Sequence, residues 1–147
     1  MDIENLLKLL KEHKVRFVLI GAMAFPLYGY SRTTLDTDIF IDPTEENAKR
    51  TLKALKKFGY DVSDITLSEL LTKKLLIRQY SIETDIHPFV TGTDFKKVWK
   101  NKKTGKIGGI AVNFASLDDL IQMKKAAGRE KDKADLKILR KLKKTKE

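Results

Sequence analysis

Two aspartates separated by one residue, Asp36 and Asp38, are the first candidates for chemistry in this sequence. They open a segment in which polar and apolar residues alternate, a pattern that predicts a β-strand with both carboxylates on one face. Adjacent carboxylates repel each other unless a cation lies between them. Because the chain has no cysteine and only two histidines, His13 and His87, we expect oxygen donors to hold that cation, which favours Mg²⁺ or Mn²⁺. Two solvated aspartates on a surface strand would give the same short pattern.

A third carboxylate lies on a later strand. Residues 80–87 alternate between apolar and polar side chains, with Glu83, Asp85 and His87 on one face. If this strand pairs beside the one that carries the two aspartates, Asp85 can reach the same metal ions. We expect Glu83 at the rim of such a site. We expect His87 to pack at the strand end rather than to bind a metal.

A glycine turn precedes the aspartates. Gly21 directly follows the apolar segment 16–20 and opens a helix-compatible segment. The backbone N–H groups of residues 21–23 would then lie at a helix N-terminus, which binds anions. Arg32 lies between this turn and the Asp pair, where it would touch phosphate or, as we slightly favour, pair with Asp36. A phosphate-binding turn followed by a metal pair is what handling of a nucleoside triphosphate requires.

These residues need a sheet to bring them together, and the chain alternates helical and strand patterns. Strands are expected at 16–20, at 36–41, at 74–87 as one strand or a hairpin, and at 103–114 as a hairpin around Gly108-Gly109. Helices are expected after Asp2 and at 22–29, 45–58, 66–72, 94–100, 116–127 and 131–142. This order predicts an α/β (α+β) fold in which helices pack on a sheet.

Composition narrows the class of protein further. A chain of 147 residues, 41% hydrophobic and 34% charged, is expected to fold as one globular domain. The absence of cysteine excludes disulfides, thiolate nucleophiles and thiolate zinc sites. The apolar runs are too short to span a membrane, and the N-terminal segment lacks the pattern of a secretory signal. We therefore expect a cytoplasmic protein without a membrane partner.

The positive charge is concentrated near the C-terminus. Residues 121–147 contain eleven basic and four acidic side chains, a net +7 of the chain's +10. Five of the basic side chains recur at helical spacing and form a predicted basic stripe: Lys133, Lys137, Arg140, Lys141 and Lys144. Leu136, Leu139 and Leu142 are expected to pack inward on another side of the helix. The stripe would hold an RNA backbone or another acidic macromolecule, or would simply be solvated.

Together, these residues resemble the DNA polymerase beta-type nucleotidyltransferase superfamily. Its signature is an apolar strand, Gly-Gly or Gly-Ser, about a dozen residues, then Asp-x-Asp on the next strand and a third acid later. Residues 18–24 and 32–41 follow this pattern, except that Ala22 replaces the second Gly or Ser. The Arg-x-Thr-x-Asp-x-Asp form and the segment 120–136 resemble small stand-alone members related to AbiEii-type toxins. The resemblance extends over residues 15–139.

The resemblance implies an organisation and a set of roles. It implies a mixed nucleotidyltransferase-type sheet flanked by helices, with a core over 1–115 and a C-terminal helical extension, 116–147, packed on it as a single domain overall. Asp36 and Asp38 would hold two Mg²⁺ ions (or Mn²⁺), and Asp85 would ligate the second ion or act as base.

The same resemblance implies contacts with the nucleotide. Gly21 and Ala22 would cradle the β- and γ-phosphates, and Lys124 would contact the triphosphate or the pyrophosphate leaving group. Arg129, Asp132 and Asp135 would form a charge network between the last two helices or approach the active site, with the structural role favoured for Asp135.

The implied function is transfer of a nucleoside monophosphate from an NTP to an acceptor hydroxyl. We expect RNA or a protein as the acceptor, in a toxin–antitoxin-like setting. Two alternatives stay open: an antibiotic-type nucleotidyltransferase with a small-molecule acceptor, for which a homodimer would complete the pocket, and a catalytically silent nucleotide-binding module. The intact Asp36, Asp38 and Asp85 argue against the silent module.

Overall fold

The computed structural model describes residues 2–31 and 36–146. Its α-helices are α1 (Ile3–Glu12), α2 (Glu45–Phe58), α3 (Leu67–Thr72), α4 (Phe95–Asn101), α5 (Leu117–Ala127) and α6 (Glu130–Lys146). Its strands are β1 (Phe17–Ile20), β2 (Asp36–Ile41), β3 (Leu75–Ile77), β4 (Glu83–His87), β5 (Lys103–Ile107) and β6 (Ile110–Phe114). Two short 3₁₀ helices, Gly21–Met23 and Phe25–Tyr28, follow β1.

Within the described residues the six strands form one mixed sheet in the order β3-β4-β2-β1-β6-β5. β1 pairs antiparallel with β2 and parallel with β6, while β2 pairs parallel with β4. The outer strands β3 and β5 complete antiparallel hairpins with β4 and β6. The mixed α/β fold predicted from the sequence is confirmed, and the segment 74–87 is a hairpin rather than one strand. The strands that carry the predicted acids are neighbours in the middle of the sheet.

Helix ends follow the capping residues. The side chains of Asp2, Thr44, Thr66, Asp94 and Ser116 each accept a hydrogen bond from the backbone N–H three residues later. This contact satisfies one of the N–H groups that a helix leaves without an internal partner at its start. Gly59 and Gly128 end α2 and α5 in the left-handed conformation. The predicted helix 45–58 is therefore confirmed to the residue.

The segment 22–29 was expected to be helical, with Pro26 in its first turn or bending it and Gly29 ending it. It forms two 3₁₀ helices rather than one α-helix, with Pro26 in the first turn of the second, and Gly29, with φ of +95°, ends that helix. Pro26 explains the difference, because an α-helix starting at Ala22 would place the proline ring against the Ala22 carbonyl and lose a hydrogen bond. The last helix is longer than expected, because α6 continues four residues beyond the expected end at Leu142.

One buried polar side chain fixes the β1–β2 pair from outside the sheet. The Asn47 side chain on α2 accepts a hydrogen bond from the Arg16 N–H (2.8 Å) and donates to the carbonyls of Arg16 (3.0 Å) and Asp42 (2.9 Å). Arg16 precedes β1 and Asp42 follows β2. Asn47 therefore joins the start of one strand to the end of the next.

Two tyrosine hydroxyls after β1 bond to the segment before α5 and to α6. The Tyr28 hydroxyl donates to the Ala115 carbonyl (2.6 Å), and the Tyr30 hydroxyl donates to Asp135 Oδ1 (3.1 Å). Leu139 on α6 is fully buried. The division at residue 115 stays a prediction. Among the described helices, none combines the length and the apolar character needed to cross a membrane.

Candidate active site

The pairing of β2 with β4 sets the acidic side chains of the two strands beside one another. In this parallel register Asp36 pairs with Glu83 and Asp38 pairs with Asp85. Paired residues of parallel neighbours share a face of the sheet, and so do residues two apart on one strand. One ligand atom from each of Asp38, Asp85 and His87 lies within 4.8 Å of the others. The expected approach of Asp85 to the Asp pair is therefore found in the structure.

The backbone of Gly21 lies beside the Asp38 carboxylate. Ile20, the last residue of β1, pairs with Asp38, and Gly21 follows it with φ of +68°. A Cβ atom at this position would lie 2.5 Å from Asp38 Oδ2. Both the left-handed backbone and the lack of space therefore require glycine. The turn predicted to bind phosphate lies directly against one of the predicted metal ligands.

A cavity of about 330 Å³ opens beside this contact. Its charged and polar walls come from Gly21, Asp38, Lys74, His87, Lys124, Arg129 and Asp132, and its apolar wall from Phe89, Val90, Leu120, Met123 and Ala127. Gly92 brings the loop after β4 against α5, because a Cβ there would lie 2.7 Å from Ala126 Cβ. The close approach of this loop to α5 gives the site its apolar side.

Cations and a histidine surround the carboxylates. Arg78 Nη1 lies 2.7 Å from Asp85 Oδ1, and Lys74 Nζ lies 3.9 Å from Asp85 Oδ2. His87 Nε2 lies 2.8 Å from Asp38 Oδ1. The hydrogen bond to Asp85 raises the pKa of the Arg78 guanidinium. The hydrogen bond with Asp36 raises the pKa of Glu83, so these two carboxyl groups interact directly.

Lys124 faces the cavity but is held by two carboxylates. Its Nζ lies 3.1 Å from Asp132 Oδ1 and 3.3 Å from Asp135 Oδ2, and Arg129 Nε lies 2.6 Å from Asp132 Oδ2. Burial raises the pKa of Asp132, but hydrogen bonds from Arg129 and Lys124 outweigh it and hold that pKa well below its usual range. These contacts form a charge network that joins α5 to α6. The contact of Lys124 with a triphosphate stays a prediction.

The other predicted site residues have different outcomes. Arg32 lies outside the described residues. The Ala22 side chain is buried and lines a separate cavity with Leu27 and Phe114, so its expected phosphate contact depends on its backbone N–H. Asp36 lies two register positions from Asp38, beside Glu83.

Three side chains at the site were not singled out from the sequence. Lys74 and Arg78 belong to the hairpin that contains Asp85, and only the β3–β4 pairing brings them to it. Phe89 is 59% exposed and lies on the cavity's apolar wall. Its position directly after the strand that carries Asp85 and His87 is the signal that could have indicated it.

The donor set suits a divalent cation. Two carboxylates and an imidazole at this separation match the ligands that proteins offer to such ions. A metal ion held there can polarise a phosphoryl oxygen and lower the pKa of a bound hydroxyl. The cavity beside it can take the rest of a substrate.

The comparisons with known proteins agree with this geometry. The model of a family described as "Nucleotidyl transferase of unknown function (DUF2204)" matches residues 1–147. A search of the curated proteins found no match.

Solved structures share the fold. TM1012 from Thermotoga maritima, assigned as a nucleotidyltransferase, is 20% identical, with 92% of this chain and 88% of that chain covered and a TM-score of 0.64. The lincosamide antibiotic adenylyltransferase LnuA, solved with lincomycin bound, is 17% identical, with 97% and 98% covered and a TM-score of 0.57.

Proposed function

Because the chain belongs to the nucleotidyl transferase family whose model spans all of it, we propose that it transfers a nucleoside monophosphate from a metal-bound NTP to an acceptor hydroxyl. The observation that carries this proposal is the convergence of Asp38, Asp85 and His87 beside the Gly21 turn. The acceptor oxygen attacks the α-phosphorus, the bond from that phosphorus to the oxygen bridging to the β-phosphate breaks, and pyrophosphate leaves.

Each residue of the site has its own proposed role in the transfer. Asp36 and Asp38 would hold two metal ions, and Asp85 would ligate the second ion or accept the hydroxyl proton. A bound Mg²⁺ or Mn²⁺ supplies charge to the triphosphate and activates the acceptor hydroxyl. The backbone N–H groups of Gly21 and Ala22 bind the β- and γ-phosphates, and Lys124 contributes positive charge from the opposite wall.

The basic stripe on α6 supports RNA as the acceptor. Its five side chains are exposed and line a shallow groove of about 370 Å³. Lys133, at its start, follows Asp132, which lines the catalytic cavity. From Lys133 to Lys144 the helix rises about 16 Å, enough to contact several backbone phosphates.

One detail of the stripe corrects the sequence analysis. Leu136 lies in the groove among the basic side chains, whereas Leu139 is fully buried as expected. Asp135 takes the inward position beside Leu139, because it bonds to Lys124 and Tyr30. The groove therefore has one apolar side chain, which can contact a ribose or base.

A small-molecule acceptor is the second candidate. LnuA is an adenylyltransferase of lincosamide antibiotics, and this chain shares its fold over nearly the whole of both chains. The apolar cavity wall with the exposed Phe89 suits an acceptor with an apolar part. A homodimer would enlarge this pocket. The AbiEii-type relationship and a toxin–antitoxin role are supported by the sequence resemblance.

A transfer assay tests the function. The full chain is incubated with each α-³²P-labelled NTP and Mg²⁺ or Mn²⁺, alone and with total RNA, total protein, lincosamides or aminoglycosides. The proposal expects labelled RNA that is absent with the Asp38→Asn variant. Label only on a small molecule would support the second candidate. NTP binding without transfer to any acceptor would indicate a silent module.

A further inference from the structure

We propose that His87 is a direct metal ligand of this site and that its nitrogen donor shifts the site's preference from Mg²⁺ towards Mn²⁺. This inference rests on the proposed function, because it concerns the metal that would carry the NTP. It changes the donor set from carboxylates alone to two carboxylates and one imidazole. It also reverses the sequence-based expectation that His87 only packs at the strand end.

The position of His87 on β4 carries the first step. His87 follows Asp85 by two residues on the same strand, so both side chains lie on the face of the sheet that carries Asp38. His87 lines the catalytic cavity together with Asp38 and Gly21. Its side chain keeps 13% of its surface exposed, so the ring is enclosed but reachable.

The distances carry the second step. Neighbouring ligands of an octahedral ion at its usual bond lengths lie about 3 Å apart. His87 Nε2 and Asp38 Oδ1 are 2.8 Å apart in a hydrogen bond that a shared metal ion would replace, and the Asp85 ligand atom lies within 4.8 Å of both. Small side-chain rotations would bring all three to one ion.

The chemistry of the donors carries the third step. Mg²⁺ prefers oxygen ligands, whereas imidazole favours transition metals, for which affinity at a given nitrogen and oxygen site generally rises from Mn²⁺ onwards. The chain has no thiolate to draw the site towards softer metals. Replacing one carboxylate by an imidazole therefore disfavours Mg²⁺ relative to transition metals, among which Mn²⁺ is the one that carboxylates also suit.

Pulsed electron paramagnetic resonance of bound Mn²⁺ tests the ligand directly. The probe is Mn²⁺ added to the full chain, without nucleotide and with a non-hydrolysable NTP analogue. Echo modulation from a coordinated ¹⁴N nucleus is expected. It should change to the ¹⁵N pattern when histidine alone is labelled with ¹⁵N. The chain contains only His13 and His87, so the change identifies the ligand almost by itself.

Matched variants complete the assignment. His87→Ala should remove the nitrogen modulation and weaken Mn²⁺ binding by about tenfold or more, with a smaller effect on Mg²⁺ binding. His13→Ala should change neither, because His13 contacts the Leu9 carbonyl at the end of α1. Circular dichroism checks that both variants fold, and the labelled wild-type protein gives the answer even if one does not.

The outcomes separate this inference from the proposed function. Mn²⁺ bound without histidine nitrogen coupling would overturn the ligand role of His87 and leave the proposed function standing. Equal losses of Mn²⁺ and Mg²⁺ affinity in His87→Ala would overturn the preference. If neither metal binds with or without the NTP analogue, the proposed function fails as well.

Discussion

Arg78 donates a hydrogen bond from Nη1 to Asp85 Oδ1 over 2.7 Å, so a guanidinium lies against the carboxylate that pairs in register with Asp38. Asp85 itself is buried. A buried carboxylate needs a partner of opposite charge, and Arg78 and Lys74 provide it from the partly exposed hairpin. A metal ion bound by Asp85, as proposed, would therefore compete with Arg78 for Oδ1.

Replacement of Arg78 should make this competition visible. We expect Arg78→Gln to tighten Mn²⁺ binding a few-fold, because one positive charge leaves the neighbourhood of Asp85. Arg78 is 40% exposed, so solvent screening limits the effect to roughly 1 kcal/mol or less. The Mn²⁺ affinity is measured by titration, in which the electron paramagnetic resonance signal of free Mn²⁺ is followed. Arg50→Gln on α2, with the same charge change, is the control. Weaker binding in Arg78→Gln would mean that the arginine positions Asp85 for the metal.

The two aspartates of β2 should differ in importance. Asp38 contacts His87 and lies against Gly21, whereas Asp36 lies two residues away along β2, beside Glu83. Asp38→Asn should abolish metal-dependent NTP binding, and Asp36→Asn should reduce it, with folding retained in both. Isothermal titration with a non-hydrolysable NTP and thermal unfolding check this. Full affinity in Asp38→Asn would contradict the proposed metal site.

Gly21 combines two constraints that a matched variant can separate. Gly21→Ala adds a Cβ in a left-handed conformation and also places it 2.5 Å from Asp38 Oδ2. Gly29→Ala meets the same backbone constraint, but its nearest atom is 3.9 Å away. Gly29→Ala should lose about 1–2 kcal/mol of stability from the left-handed backbone alone, and Gly21→Ala should lose at least as much, because its Cβ must also displace the Asp38 carboxylate. Only Gly21→Ala should lose NTP affinity per folded molecule, as measured by titration after unfolding curves give the folded fraction.

The Asp132 ion pairs predict a pH-dependent stability. Because hydrogen bonds from Arg129 and Lys124 hold the pKa of Asp132 below its usual range, its contribution is complete above the unfolded value of about 4. It is lost as pH falls towards the folded pKa. Asp132→Asn should cost about 3 kcal/mol at pH 7, and the difference from wild type should shrink below pH 4.

Urea unfolding at several pH values measures this difference. Asp118→Asn is the control, because Asp118 pairs with Lys143 at an exposed site and should change stability by less than about 0.5 kcal/mol. A constant difference between wild type and Asp132→Asn from pH 7 to pH 3 would contradict the assignment.

Charge reversal on α6 tests the acceptor. Changing Lys137, Arg140, Lys141 and Lys144 to glutamate should leave metal-dependent NTP binding intact but remove transfer to RNA, with a flatter salt dependence. Reversal of Lys8, Lys53, Lys56 and Lys57, which are exposed on α1 and α2, changes net charge equally and should leave transfer intact. Equal losses of RNA transfer in both variants would mean that overall charge, and not the basic stripe, determines the effect.

The sequence predicted the bounds of helices and strands well where one local feature, such as a cap or an alternating pattern, determines them. The helix 45–58 is found to the residue because Thr44 caps its start and Gly59 ends it. The alternation of residues 36–41 gave β2 with its correct bounds. The segment 22–29 forms two 3₁₀ helices rather than one α-helix because Pro26 removes an N–H that an α-helix needs there.

Sequence spacing predicts which side chains share a face of one strand, and the site was predictable only to that extent. Spacing placed Asp36 and Asp38 on one face of their strand and Asp85 on one face of its own, but their meeting depends on the β2–β4 pairing. The partners of Asp85 depend on how β3 folds back on β4. Lys124 was recognised as a charged residue near the site, yet its two carboxylate partners lie on another helix. Contacts between elements distant in sequence carry no local signal.

The Asn47 amide, on a helix outside the cavity, has a consequence for the site through strand alignment. A slip of β2 by one residue against β1 would turn every side chain of β2 to the other side of the sheet. Thr37 and Ile39, now buried, would exchange places with Asp36 and Asp38. By tying Arg16 to Asp42, Asn47 penalises that slip. The neutral amide of Asn47 thus helps to fix the strand register that places the Asp36 and Asp38 carboxylates on the same side of the sheet.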